Sequence, residues 1–275
     1  MIEYNSNYPV LKTNLAGKTF EFTDTKEESE YFENRKKLGS SWYYYDNPIE
    51  YKNNKFGYRS NEIEELEDGF ALGFGCSFSY GFGLHLEDTW IHRLGEELNI
   101  PYLNLSCSGT GPELVFYNSI LFSAYCKKNN ISPSFVGIQW SFDTRAGYWH
   151  DLGGLGKAEY MLFDYTKKYK NFDNDDCGIR SEYERWIEAF TQFEVKRINS
   201  KIFYPLAVNQ IWEGLGARVF NYYSTSADIK PSFLKEKLPY EMIEIKASSD
   251  QARDLRHPGV DEHTTILNTM LKWLM

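Results

Sequence analysis

One serine, one histidine and one aspartate have the types and spacing that ester hydrolysis needs. Ser77 lies in the glycine-rich stretch LGFGCSFSYGFG, residues 72–83, directly after a short apolar run, and DLRHPG places Asp254 three residues before His257. A serine hydroxyl becomes an effective nucleophile when a histidine takes its proton and a carboxylate orients that histidine. Either motif alone is common in turns, because Gly, Ser and Asp are turn residues. The hypothesis depends on both occurring in one chain. His263, inside the predicted last helix, is expected to be a packing or surface residue.

The elements around these motifs predict an α/β fold. Short apolar runs that are typical of buried strands alternate with amphipathic patterns that are typical of helices, at 70–74, 86–98, 101–105, 111–128, 134–140 and 217–223. Strands and helices alternating at these lengths favour a parallel sheet. A closing amphipathic helix follows residue 259. We therefore predict a flavodoxin-like three-layer α/β/α domain with a central parallel sheet.

Three other regions of the chain have different sequence patterns. Residues 1–69 are polar and tyrosine-rich, so we expect an irregular, β-rich N-terminal appendage packed on the main domain, which spans residues 70–275. An insertion with irregular structure is expected at about 145–182. Residues 183–214 have a helical pattern that is interrupted or restarted at Pro205.

The predicted topology brings three loops to one edge of the sheet. In open parallel sheets, ligand sites form outside the carboxyl ends of the strands. Loops 75–83, 104–111 and 139–145 each follow such an end. We therefore expect these three loops to converge on one site.

Composition limits the partners and the location. The chain has 275 residues and a net charge of -9, which disfavours a nucleic-acid partner. No apolar run approaches about 18 residues, so no membrane span is expected. The first residues have no signal-peptide pattern, which predicts a cytoplasmic location. The four cysteines, Cys76, Cys107, Cys126 and Cys177, form no CxxC pair and are expected to be reduced thiols.

These motifs resemble the sequence blocks of SGNH, or GDSL-like, hydrolases. FGCSFSYGFG is similar to the first block, where a glycine stands four residues after the nucleophile, as Gly81 stands after Ser77. NLSCSG is similar to the second block, whose glycine donates a backbone N–H to the oxyanion; this glycine maps to Gly109. DLRHPG is similar to the last block, whose Asp and His complete the triad, and these map to Asp254 and His257. The resemblance implies that no metal or organic cofactor is needed.

The same resemblance extends upstream and has clear departures. NNKFGYRS, residues 53–60, is similar to an Asn-x-x-Gly-aromatic-Arg element that precedes the first block in some members. The first-block Asp is replaced by Cys76. The third block, normally Gly-x-Asn-Asp with the Asn as an oxyanion donor, reads GIQWSFDTR and contains no asparagine. We expect Gln139 or Ser141 to substitute for that donor, or Arg145 to bind an anionic group. Losing one oxyanion donor lowers rates by about 10²–10³-fold, which predicts a slow or specialised enzyme.

Three interpretations of the chain are open at this point. The first is a serine acyl-ester hydrolase or acyltransferase that acts on a small-molecule ester or an O-acylated carbohydrate. The second is a catalytically weak or inactive binding or structural protein on the same fold, with residues 1–69 as the surface for a protein partner. IQWS followed by Arg resembles a variant in phage-encoded SGNH-like proteins, so that role could be a virion component, located in the host cytoplasm or the virion. The third uses Cys76 and Cys107 as a nucleophile, a redox pair or, with His85, a metal site.

Overall fold

The computed structural model describes residues 2–5, 7–21, 25–141, 145–151, 158–164, 198–225 and 238–275, without the side chains of 25–27, 145–151, 158–164 and 200. Its strands are β1 (Ile2–Tyr4), β2 (Lys12–Thr13), β3 (Thr19–Phe20), β4 (Tyr51–Lys52), β5 (Ala71–Phe74), β6 (Tyr102–Asn104), β7 (Phe135–Gln139), β8 (Arg145–Asp151), β9 (Ala158–Asp164), β10 (Arg218–Ser224) and β11 (Ile243–Ile245). Its α-helices are α1 (Thr25–Leu38), α2 (Ser77–Tyr80), α3 (Trp90–Leu98), α4 (Pro112–Asn129), α5 (Tyr204–Glu213) and α6 (Val260–Leu274). None of the helices in these described ranges is long and apolar enough to cross a bilayer.

A five-stranded parallel sheet forms the centre of the fold. Its strand order is β6-β5-β7-β10-β11, and every neighbouring pair is parallel. Counted in chain order within this sheet, the strands run 2-1-3-4-5, which is the flavodoxin-like order. The predicted fold class is therefore confirmed. The fifth strand, β11, lies in a stretch for which the sequence pattern made no assignment.

Helices cover both faces of this sheet. Successive side chains of a strand point to opposite faces, so Leu72 and Ile138 pack with one helix pair, while Ala71 and Phe135 pack with the other. The first face carries α4 and α5, with Phe122 and Trp212 in its core, and the second carries α3 and α6, with Trp90 and Met270. Two helix layers on one sheet give the three-layer α/β/α arrangement.

The N-terminal region and the insertion contain more regular structure than the sequence predicts. Strands β1 and β2 join β9 and β8 in an antiparallel sheet of order β2-β1-β9-β8. The expectation of irregular structure at about 145–182 is therefore wrong for the two strands described there. Helix α1 was also not predicted, because its sequence TKEESEYFENRKKL is mostly charged and has little apolar periodicity. Its last turn carries three basic residues, which suit a helix C-terminus.

The helical pattern before β10 is described only in its last part. A π-helical turn at Asn199–Phe203 runs directly into α5, and Pro205 is the second residue of α5. Because helical residues precede it, Pro205 withholds an N–H from the preceding turn, and this position coincides with the change from π-helix to α-helix. The remainder of the pattern, residues 183–197, lies outside the described residues.

Candidate active site

The segment that carries Ser77 leaves the sheet through a tight turn, which we call the Ser77 loop (residues 75–84). Strand β5 ends at Phe74, and the four-residue helix α2 begins at Ser77. A Cβ on Gly75 would lie 2.7 Å from both Oε1 of Gln139 and Oγ of Ser79, so only glycine fits there. Gly81 ends α2 with φ of 76°, in the left-handed region that glycine adopts without strain. These two glycines allow the chain to turn and place Ser77 at the start of α2.

Ser77, His257 and Asp254 form one hydrogen-bonded series. His257 Nε2 lies 3.0 Å from Ser77 Oγ, and His257 Nδ1 lies 2.6 Å from Asp254 Oδ2. Both distances are within the range for a nucleophile bonded to its base and for a base bonded to its orienting group. The fold thus brings together residues that are 180 positions apart in the sequence.

The Asp254 carboxylate is arranged to remain ionised. Its side chain is fully buried, and Oδ1 accepts the backbone N–H groups of Arg256 and His257, each at 3.1 Å. Burial raises the pKa of Asp254, but the hydrogen bonds and charge of His257 and these N–H groups lower it more, so the pKa falls below its ordinary value of 3.8. An ionised carboxylate only accepts hydrogen bonds, so the Nδ1 of His257 carries a proton and donates it. When the imidazole is neutral, its Nε2 is then free to accept the Ser77 proton.

Two aromatic rings hold the imidazole of His257 in place. The centroid of Phe82 lies 4.7 Å from that of His257, and the centroid of Phe78 lies 5.6 Å away in an edge-on arrangement. Both phenylalanines are partly exposed. These ring contacts restrict rotation of the imidazole.

Gln139 lies at the junction where ligand sites of this sheet type form. It ends β7, the neighbour of β5, and the two strands are the first and third in chain order. Its Oε1 accepts from Ser79 Oγ at 3.0 Å, from Ser79 N at 3.2 Å and from Cys76 N at 3.4 Å. Backbone N–H groups can only donate, so the amide oxygen faces the Ser77 loop. Its Nε2 has no acceptor within the described residues.

The second loop lies beside the Ser77 loop and exposes Gly109. The Cys107 N–H donates to the Gly75 carbonyl at 3.2 Å. Gly109 has φ of 81° and no atom within 4 Å of a hypothetical Cβ. Within the part of the chain that the structure describes, the N–H groups of Ser77 and Gly109 have no acceptor. Both can therefore donate to an oxyanion.

Ser141 and Arg145 stand apart from these donors. The Ser141 hydroxyl donates to the Thr110 carbonyl at 3.1 Å, so it holds the second loop and its hydrogen is not directed at a substrate. The expectation that Ser141 supplies an oxyanion donor therefore receives no support from its geometry. Arg145 is the first residue of β8, but its side chain lies outside the described part of the structure, so its anion-binding role remains a prediction.

A buried polar network behind Ser77 was not predicted from the sequence. The Ser79 hydroxyl, which donates to Gln139, lies 2.9 Å from the Tyr222 hydroxyl and accepts Trp90 Nε1 at 3.1 Å. Asn104 Nδ2 donates to the Ser79 carbonyl at 2.9 Å. Side chains from four separate elements, β6, β7, β10 and α3, therefore hold α2 in place.

His263 belongs to this network and is not a surface residue. It is 1% exposed, its Nδ1 accepts the Trp90 N–H at 3.0 Å, and it is hydrogen bonded to the Phe78 backbone. Burial lowers its pKa to about 4, so it is neutral at physiological pH. His263 thus links the starts of α3 and α6 to α2. Its position in an apolar helical pattern gave no signal of these bonds.

The interpretation based on thiols is not supported by the geometry. Burial raises the pKa of Cys107 to about 12, which keeps it as an unreactive thiol. The Cys76 thiol faces Gln139 Oε1 at 3.5 Å, and the His85 ring packs against Tyr43 and Tyr44. Over the described ranges, no group of three His, Cys, Asp or Glu side chains could hold a metal ion. Cys177 lies outside the described residues.

Comparisons with known proteins find similarity at the level of structure alone. No family model and no curated protein matches the chain. A carbohydrate esterase whose active site displays divergent catalytic and non-catalytic binding functions aligns at a TM-score of 0.42 and 12% identity, covering 77% of this chain and 70% of that one. The psychrotrophic esterase EstA of Pseudoalteromonas sp. aligns at a TM-score of 0.40 and 15% identity, covering 75% and 99%. The acetyl xylan esterase Est2A of Butyrivibrio proteoclasticus aligns at 0.41 and 13%, covering 78% and 64%.

Similarity this low carries no information about substrate. The strand order is flavodoxin-like, and the Ser77, Gly109 and His257 blocks lie after β5, after β6 and before α6. In these respects the chain resembles a divergent SGNH-like hydrolase.

Proposed function

We propose that this chain is a serine acyl-ester hydrolase, or an acyltransferase with the same mechanism. The observation that carries the proposal is the series in which His257 Nε2 lies 3.0 Å from Ser77 Oγ and Nδ1 lies 2.6 Å from Asp254. Such a series activates a serine hydroxyl that would otherwise be a weak nucleophile.

The reaction follows from the protonation states of this series. Ser77 Oγ attacks the ester carbonyl carbon while its proton moves to His257 Nε2. The carbonyl oxygen becomes an oxyanion, and the N–H groups of Ser77 and Gly109 donate to it together with Gln139 Nε2. The tetrahedral intermediate collapses, the ester C–O bond breaks, and His257 gives its proton to the leaving alcohol. Water, or an acceptor alcohol in a transferase, then attacks the acyl-Ser77 ester by the same steps in reverse order.

Gln139 supplies the donor that the missing third-block asparagine would provide. Its Oε1 is held by backbone N–H groups of the Ser77 loop, so the amide is fixed before substrate binds. A fixed donor loses little freedom when charge develops on the oxyanion, which is what makes such donors effective. Substitution of Asn by Gln at this position is therefore compatible with turnover.

The substrate that we propose is a small-molecule ester, and an O-acylated carbohydrate in particular. Tyr43 is 57% exposed and Trp42 is half-buried in the aromatic segment SWYYYD, and rings of this kind stack on sugars. No organic cofactor or metal enters the mechanism. Nucleic acid remains a poor candidate as a partner for a chain with net charge -9.

A binding or structural protein on the same fold is the second candidate. Phe32 and Tyr43 are 53% and 57% exposed within residues 1–69, which favours a surface for another molecule, for instance a protein partner. A virion component remains one form of this candidate. In this case the hydrogen-bonded series would be a remnant without turnover.

Ester hydrolysis by matched serine variants distinguishes the two candidates. We expect the wild type to hydrolyse p-nitrophenyl acetate and Ser77→Ala to fall to the uncatalysed background. Ser134→Ala is the control, because it also removes a hydrogen-bonded hydroxyl, one that donates to the Gly69 carbonyl, but it lies before β7 at the opposite end of the sheet. Ester turnover that persists in folded Ser77→Ala would refute the esterase assignment.

A further inference from the structure

A buried arginine from the N-terminal region holds the far end of the Ser77 loop. Arg59 is 1% exposed, and its Nη1 donates to the Gly81 carbonyl at 2.9 Å. Its Nη2 donates to the Glu50 carbonyl at 3.1 Å. One planar guanidinium therefore ties the end of α2 to the segment that leads into β4.

Folding stability alone gives no reason for a cation at this position. In the part of the chain that the structure describes, Arg59 forms no ion pair, and its buried Nε has no hydrogen-bond partner. A buried charge destabilises a fold unless it is paired, and the face of the Tyr51 ring, 4.6 Å from the guanidinium carbon, offsets only part of this loss. The fork of the guanidinium does, however, fix two carbonyls in a defined geometry.

The carbonyl that Arg59 holds is close in the chain to Ser77. Gly81 is the residue that ends α2, and its carbonyl also accepts the Leu84 N–H at 3.1 Å. The next residue, Phe82, donates its N–H to the Ser77 carbonyl at 3.1 Å. A shift of Gly81 is thereby transmitted to both ends of α2 and to Phe82, whose ring contacts His257.

The same N-terminal segment makes further contacts with this loop. The Tyr51 hydroxyl accepts the Gly83 N–H at 2.8 Å. The Tyr80 hydroxyl donates to Asn53 Oδ1 at 3.1 Å. Residues 51–59 thus hold the loop at Tyr80, Gly81 and Gly83.

We propose that Arg59 is a positioning residue, which holds the Gly81 carbonyl so that Ser77 Oγ stays within hydrogen-bond reach of His257 Nε2. This inference rests on the proposed esterase function. It makes residues 51–59 part of the support of the site, whatever partner the exposed aromatic residues of the region bind.

Replacing Arg59 with Met removes both donors and keeps an unbranched apolar stem in their place. The quantities to measure are the second-order rate of labelling of Ser77 by a fluorophosphonate, kcat and KM for p-nitrophenyl acetate, and Tm. Arg59→Met should lower the labelling rate and kcat on the order of 10–100-fold, because small misplacements of reacting groups have effects of this size. KM should change little, since Arg59 does not touch the substrate. Arg59→Lys should recover part of the loss, because the ammonium can still donate to the Gly81 carbonyl.

Arg218 offers a matched control. Its guanidinium also donates to two backbone carbonyls, those of Leu274 at 2.5 Å and Trp273 at 2.8 Å, and stacks on the Trp273 ring at 4.8 Å. It begins β10, at the end of the sheet opposite to Ser77. Arg218→Met should lower Tm and leave labelling and kcat within about twofold of the wild type, since surface contacts away from a site act mainly on stability.

Each outcome decides the inference. Folded Arg59→Met that is labelled at the wild-type rate would overturn it, and so would equal losses of kcat in Arg59→Met and Arg218→Met. If Arg59→Met does not fold, Arg59→Lys and Tyr51→Phe decide: slower labelling with KM unchanged supports positioning, and wild-type labelling of both refutes it. A wild type that is not labelled at all would refute the proposed function itself.

Discussion

The two segments that carry the hydrogen-bonded series are held in different ways. Asp254 and His257 lie in a turn, which we call the Asp254 turn (residues 252–259), and its own backbone provides most of its bonds. Asp254 Oδ1 accepts two N–H groups of the turn, and the Ala252 N–H donates to the His257 carbonyl at 3.0 Å. The Ser77 loop is held instead by side chains that are distant in the sequence, among them Arg59 and Gln139.

Asp254 and His257 are therefore positioned mainly by local contacts, whereas Ser77 is positioned by tertiary contacts. A spacing of three residues lets Asp254 both close the turn and orient the imidazole of His257. The position of Ser77 depends on contacts from the N-terminal segment, β7 and α6 together. Changes in the Asp254 turn should therefore act on the base itself, whereas changes around the Ser77 loop should act on its alignment.

Removing the base should have the largest effect. His257→Gln keeps a polar side chain but leaves Ser77 without a proton acceptor, so kcat/KM should fall by roughly 10⁴–10⁶-fold. His92→Gln is the control, because His92 lies on α3 and is bonded to Tyr102. Steady-state kinetics with p-nitrophenyl acetate check this, and a loss of less than tenfold in His257→Gln would exclude His257 as the base.

Changing the fixed amide should have an intermediate effect. Gln139→Glu keeps an oxygen for the N–H groups of Cys76 and Ser79 but replaces the Nε2 donor with a second oxygen. The oxyanion then loses one donor, which lowers kcat by about 10²–10³-fold with little change in KM. If kcat is unchanged in the folded variant, Gln139 serves only to hold the Ser77 loop.

The buried histidine behind the loop should make stability depend on pH. Burial places the pKa of His263 at about 4 in the folded chain, against an ordinary value of 6.5. Between these values the unfolded chain binds a proton that the folded chain does not, so stability falls as pH falls from 6.5 to 4, by about 2–3 kcal/mol. The His263→Gln variant lacks this proton. Urea denaturation at pH 7 and pH 4.5 should therefore show a wild-type advantage that shrinks at the lower pH.

An equal advantage of wild type over His263→Gln at both pH values would mean that burial does not lower the pKa of His263 in the folded chain. Acidic side chains also titrate near pH 4 in both proteins. The difference between the two proteins, measured at each pH, removes this shared contribution.

A strained residue in the Asp254 turn should have the smallest effect. Leu255 has φ of 55°, a conformation that is unfavourable for a side chain of its kind. Leu255→Gly should remove this strain and raise the free energy of unfolding by up to about 1 kcal/mol, less what the greater freedom of glycine in the unfolded chain takes away. Equilibrium denaturation measures this difference, and kcat should stay within twofold. A large loss of activity would show that the local turn needs Leu255 for more than its backbone.

The difference between the Asp254 turn and the Ser77 loop also explains which features can be predicted from the sequence. The pairing of Asp254 with His257 is encoded in the six residues DLRHPG, and four of the five parallel strands appear as short apolar runs, so both can be predicted from the sequence. The glycines around Ser77 indicated a sharp turn, and the fold confirms the class of sheet that places it. Each of these signals comes from residues that are close together in the chain, so it can be recognised in a single sequence.

The supporting residues of the Ser77 loop left no such signal. Arginine and histidine are usually exposed or only partly buried, so a pattern analysis gives no reason to place Arg59 or His263 in a core. Gln139 lies on the neighbouring strand β7, 60 residues from Ser79 in the sequence. Its role as an acceptor for Ser79 therefore depends on the tertiary fold. Helix α1 gives no sequence signal either, because its charged sequence lacks an apolar face of the usual kind.

The central claim is that His257 and Asp254 activate Ser77, and one labelling measurement tests it most directly. The wild type is treated with a fluorophosphonate, and the adduct is located by peptide mass mapping in parallel with Ser77→Ala and His257→Gln. We predict one adduct on the wild type, on the peptide that contains Ser77, with none on Ser77→Ala and a far slower reaction of His257→Gln. A folded wild type without an adduct, or with its adduct on another residue, would contradict the account.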